Sequence, residues 1–181
     1  MDRRTSIKTF LAISAGITLL PACLQEKSKS SLLLKKIKIN NDEEELMATL
    51  SETILPTTDT PGAKDLSSHL FVLMMVDECH SKAEQEKFLK GLGQFQKICK
   101  EKYDQSFNRM SPEKRYSLLK AFEDKKGIPE EAMSFYATTK RMTVQSYTTS
   151  QHYVTKVQVY KLVPGKFIGC KPVSPQEVIV Q

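Results

Sequence analysis

The stretch SKAEQEKFLKGLGQFQKIC, residues 81–99, decides the fold. Ser81 with Glu84 three residues on is a capping box: the hydroxyl accepts from the amide of the third helical residue, and the carboxylate reaches back to the cap amide. Phe88, Leu92, Phe95, Ile98 and Cys99 follow at steps of 4, 3, 3 and 1, one stripe of a long helix. Gly91 and Gly93 weaken that helix and suit close approach of a second one. A stripe this apolar needs other helices to cover it.

The flanking segments supply them. Upstream, Asn41-Asp42-Glu43-Glu44-Glu45 places a capping side chain and three acids at the positive end of a helix dipole. Leu46, Met47, Leu50, Ile54 and Leu55 recur behind it, and Pro56 ends the run. Thr57 to Ala63 is a dense turn with Pro61-Gly62 at its centre. Asp65 reads as the cap of a further helix, in which seven consecutive apolar residues run from Leu70 to Val76. Such a helix lies central to a core or under a partner.

Downstream, Ser111-Pro112 opens a helix with Tyr116, Leu118, Leu119 and Phe122, closed by Lys125-Lys126-Gly127. Pro129-Glu130-Glu131 opens the last long one, through Met133, Phe135, Tyr136 and Val144 to about Thr149. Tyr153 to Leu162, rich in Val and Tyr, reads as a strand or an extended arm, and the Pro- and Gly-containing tail to Gln181 as an irregular arm. The expectation is an all-α domain of about five helices with extended N- and C-terminal arms.

Met1 to Cys23 has the anatomy of an export signal. Arg3, Arg4 and Lys8 precede an apolar run from Phe10 to Leu20, too short for the ~20 residues of a bilayer span. Leu20-Pro21-Ala22-Cys23 resembles a bacterial lipobox, with Cys23 as the lipidated residue. Arg3-Arg4 followed by Phe10-Leu11 resembles a twin-arginine signal, a route that carries folded proteins; the alternative is an ordinary secretory leader. Residues 1–22 are thus read as a signal peptide, 23–40 as a lipid-anchored tether and 41–181 as the helical domain with its arm. Losing the leader lowers the formal net charge from +6 to about +4. With no arginine-rich patch or aromatic-and-basic module, nucleic-acid binding is excluded as a role.

No catalytic motif stands out. His69, His80 and His152 accompany no nucleophile signature and read as packing or capping residues. Asp77 and Glu78, adjacent on a helix and about 100° apart, read as solvent-facing. Beyond Cys23 three cysteines remain, Cys79, Cys99 and Cys170, with no zinc or haem spacing.

Glu52-Thr53-Ile54-Leu55-Pro56-Thr57-Thr58-Asp59-Thr60-Pro61-Gly62-Ala63 resembles the signature segment of the gluconate 2-dehydrogenase subunit 3 family. Tyr147-Thr148-Thr149-Ser150 and the closing Val163-Pro164-Gly165 to Gly169-Cys170 agree with it in order, over roughly residues 42–173. The resemblance implies a non-catalytic small subunit of a periplasmic, flavin-dependent sugar or polyol dehydrogenase. It implies no cofactor in this chain, FAD in a large GMC-type partner subunit, and commonly a cytochrome c that takes the electrons onward. The small subunit's leader would then export the folded partner, and Cys23 would hold the complex at the periplasmic face of a membrane. Pro56, Asp59, Pro61 and Gly62 become partner-facing motif residues. Cys170 becomes the candidate inter-subunit disulfide, and Cys79 with Cys99 an internal pair that requires a kink near Gly91 and Gly93. The competing readings are a solitary ligand-binding periplasmic lipoprotein, which calls for a sizeable pocket within this chain, and an independent hydrolase.

Overall fold

The structure, a computed structural model, describes residues 33–125 and 127–158 together with Gly165 and Cys170. Every regular element among the described residues is helical, as the periodicity requires: α1 (Asn41–Ile54), α2 (Ser68–Cys79), α3 (Lys82–Tyr103), a 3-10 turn (Phe107–Arg109), α4 (Pro112–Glu123), α5 (Glu130–Thr148) and a wide π turn (Tyr153–Val157).

α3 and α5 pack antiparallel as the spine, and α2 packs against α5 as well. The Ser81–Glu84 capping box forms on α3; α1 is capped one residue earlier than read, by Asn40, which makes a second capping box with Glu43. The buried stripe of α3 carries Phe88, Leu92, Phe95, Ile98 and Cys99, as the spacing predicts. Phe95 is the hub of the core. Its ring lies 5.2 Å from Phe107, 5.4 Å from Phe122 and 5.6 Å from Phe135, tilted or edge-on as ring quadrupoles prefer.

The spine is close because of one glycine. A Cβ on Gly91 would overlap the carbonyl oxygen of Glu131 and lie 2.5 Å from Phe135 Cβ, whereas Gly93 faces open space. Gln85, buried, donates its side-chain amide among the carbonyls of Val76, Asp77 and His80. It thereby satisfies the free end of α2 from within α3.

Several expectations are corrected. Asp77 does not face solvent: it is 2 % exposed, and its carboxylate accepts the backbone amides of Lys35 (2.9 Å), Lys36 (2.7 Å) and Ile37 (2.8 Å). Three successive amides form a cradle that suits an anion. Ile37 and Ile39 are buried in the core, so the body begins before residue 40 and the tether is shorter than read. Tyr153–Val157 is a helical turn and not a strand: the Tyr153 ring packs edge-on against Tyr147 at 5.6 Å, outweighing β propensity. Residues 159–164 lie outside the described residues. α2 is not capped by Asp65; its cap is Ser67 in the left-handed region, with no side-chain bond.

Candidate functional site

The signature segment forms a loop braced from below and displayed above. It leaves α1 at Leu55 and returns to α2 at Ser68. Ala63 N donates to Leu55 O (2.9 Å), and Ser68 N to Ala63 O (2.8 Å), which close its base. Two carboxylates hold its interior. Glu52 accepts the amides of Thr57 and Lys64, both at 2.9 Å, which reach it from opposite arms of the loop. Asp65 accepts the amide of Gly62 at 3.0 Å. The Thr57 hydroxyl stands between the two acids, 2.7 Å from Asp65 Oδ2 and 3.1 Å from Glu52 Oε1, and its single proton serves one at a time. The Thr57 hydroxyl, then the Gly62 amide, keeps the Asp65 carboxyl below its ordinary range.

Gly62 is required by this geometry. A Cβ there would collide with Thr57 N and lie 2.5 Å from its Oγ1. Gly62 is buried and Pro61 half-buried, while Pro56, Thr57, Thr58, Asp59 and Thr60 are exposed. The four motif residues therefore divide: Gly62 and Pro61 shape the loop, and Pro56 and Asp59 stand on its outer rim. Glu52 and Asp65 were not singled out as its braces. The only signal for them was an acid on each side of a threonine-rich turn.

The other candidates are separate from this loop. His69 is half-buried beside it in sequence, on the first turn of α2; burial lowers its pKa against the opposing pull of Glu44. His80 caps the C-terminal end of α2, and His152 precedes the π turn. Glu123 accepts from Lys140 (2.6 Å) and from the Tyr136 hydroxyl (2.5 Å), which lower its pKa in that order, a surface brace between α4 and α5. A surface groove of about 740 Å³ runs between α1 and the segment after α3, lined by Asp42, Glu45, Gln96, Lys100, Asp104 and Arg109 among others. Among the described residues no group of three or more His, Cys, Asp or Glu side chains is placed to hold a metal ion. None of the described helices is long and apolar enough to cross a membrane.

The three described cysteines are free: Cys79 exposed, Cys99 buried, Cys170 exposed. The internal pair is not formed. α3 runs unbroken through Gly91 and Gly93 between the two thiols, and a straight helix from Ser81 to Cys99 spans ~27 Å. Arg3, Arg4 and Cys23 lie outside the described residues.

Fold and loop together define an all-helical domain that carries a rigid, solvent-facing turn between its first two helices. The chain belongs to the gluconate 2-dehydrogenase subunit 3 family, whose model matches residues 41–165. By that membership it is a subunit of a multi-subunit dehydrogenase complex. Searches of curated proteins and of solved structures found no match.

Proposed function

We propose that this chain is the non-catalytic small subunit of a periplasmic FAD-dependent sugar or polyol dehydrogenase. Its tasks are export, assembly and membrane tethering of the catalytic flavoprotein. The observation that carries the reading is the family's match over residues 41–165, which includes the braced loop. A turn held internally by Glu52 and Asp65 loses little conformational freedom when a partner covers it, and that favours association.

The leader adds the export part. Arg3-Arg4 would send the chain, with its folded partner, across the membrane, and the acylated Cys23 would keep the pair at the periplasmic surface. The catalytic subunit, of GMC type, binds the FAD, and a cytochrome c accepts electrons from it. Cys170, exposed and free, is the thiol for a bond to the partner.

Affinity purification of the tagged full chain from detergent extracts tests the assembly. Recovery of a much larger flavoprotein, with its yellow absorbance, is expected. Recovery of the chain alone as a stable monomer contradicts it and favours the solitary ligand-binding lipoprotein, for which the groove beside α1 is the place to look.

A further inference from the structure

A second recess, of about 230 Å³, opens between the start of α3 and the middle of α5. From α3 and its cap region it is walled by His80, Glu84 and Lys87; from α5 by Ser134, Thr138 and Arg141. The α5 residues recur at steps of four and three, so they share one helix face. We propose that this recess binds a carboxylate group.

The donors converge and are largely uncommitted. Arg141 has no ion pair or hydrogen bond among the described residues, and its planar fork matches a carboxylate in two parallel bonds. Lys87 makes a 3.3 Å pair to Glu130, itself 87 % exposed on its side chain, and also faces the Glu131 carboxylate, so it borders the recess as a partly engaged cation. Ser134 and Thr138 add two hydroxyl donors. His80 Nδ1 is shielded from solvent and has no hydrogen-bond partner among the described residues, an unmet donor or acceptor that a ligand oxygen would satisfy.

The acid on the wall is already engaged. Glu84 Oε2 accepts both the amide (2.8 Å) and the hydroxyl (2.7 Å) of Ser81, and those bonds hold its pKa down. It remains charged, however, and it limits what the site can take. Lys87 and Arg141 stand against Glu84, with Glu130 at the rim and Glu131 within reach of Lys87, so the recess as a whole carries no positive excess and Arg141 is its unpaired cation. A monoanionic carboxylate brings one charge for Arg141 to meet, whereas a phosphate dianion brings two against the same acids and meets repulsion. The volume admits the carboxylate and a short carbon stem. Two sources offer this chemistry: a small free acid, or an Asp or Glu side chain of the catalytic subunit.

Amide NMR shifts of the full chain in detergent, with sodium acetate titrated against sodium chloride at constant ionic strength, test the proposal. Saturable shifts confined to residues 80–88 and 134–141 are expected with acetate. Arg141→Gln should weaken them by at least about tenfold, the cost of a charge-assisted hydrogen-bond pair. Lys114→Gln, which removes an exposed charge on α4, should leave them unchanged. Equal shifts with chloride or with inorganic phosphate, or wild-type acetate binding in Arg141→Gln, overturn the proposal. Arg141 is exposed, so unchanged thermal unfolding will show that the variant is folded. Where acetate binding is lost, purification of the complex separates the sources: intact recovery assigns the site to a free acid, reduced recovery to the partner's side chain.

Discussion

Gly91 of α3 meets Glu131 of α5 so closely that no side chain fits between them: a Cβ at 91 would overlap the Glu131 carbonyl oxygen. Two residues along the same helix, Gly93 has nothing within 4 Å of the corresponding position. The two glycines thus have opposite meanings. Gly91→Ala should push the spine helices apart and cost about 1–3 kcal/mol or more, since backbone cannot yield as a flexible side chain does. Gly93→Ala should stabilise by about 0.5–1 kcal/mol through helix propensity alone. Urea unfolding of the two variants measures both.

Asp77 clamps the entry of the N-terminal segment. Asp77→Asn replaces one acceptor oxygen with an amide group facing backbone donors, and should destabilise by about 2–4 kcal/mol. The pH dependence has a definite sign. Burial pushes the Asp77 carboxyl up, but the amides of Lys35, Ile37 and Lys36 outweigh it, and the net pKa is lowered. Its contribution is therefore complete above the unfolded value of about 3.9 and is lost as pH falls through the folded value. Unfolding free energy measured between pH 7 and 3 should fall less steeply in Asp77→Asn than in the wild type.

The signature loop separates shape from contact. Gly62→Ala strikes Thr57 backbone and should lower stability by about 1–3 kcal/mol. Asp59→Ala removes an exposed carboxylate with no partner among the described residues, and should leave thermal unfolding unchanged. If the rim faces the catalytic subunit, Asp59→Ala nonetheless reduces recovery of the flavoprotein in affinity purification. Equal recovery would remove Asp59 from the interface.

Cysteine reactivity follows burial. Cys99 is fully enclosed, and desolvation pushes its thiol up to about 12, whereas Cys79 is exposed. The thiolate is the reactive form, so iodoacetamide at pH 8 should label Cys79 promptly and Cys99 only after denaturation. Mass spectrometry of the timed digest reads the difference. Prompt labelling of Cys99 would show that the end of α3 opens readily.

Much of the helical frame was legible because its signals are local. Capping residues, stripe spacing and terminal prolines act within one turn or two, and α3, α4 and α5 begin where those residues place them, α1 one residue earlier. What escaped notice depends on partners far along the chain. Asp77 looks like one of two adjacent surface acids until the amides of residues 35–37, some forty positions away, fold onto it. Ile37 and Ile39, inside the stretch read as tether, escaped for the same reason. At Tyr153 local preference was overruled by a ring contact with Tyr147. The loop was found by its resemblance, but Glu52 and Asp65 became visible as its braces only when both arms were seen together.

The central claim is that this chain carries a folded flavoprotein out of the cytoplasm, and Arg3 and Arg4 are the residues to change. The full chain with Arg3→Lys and Arg4→Lys together, co-expressed with the catalytic subunit, keeps the leader's charge and alters only the paired guanidinium groups. Cell fractionation followed by dehydrogenase assay and immunodetection gives the answer. Retention of the folded flavoprotein in the cytoplasm, with loss of periplasmic activity, is the expected result. Normal arrival of the flavoprotein in the periplasm would contradict the escort role.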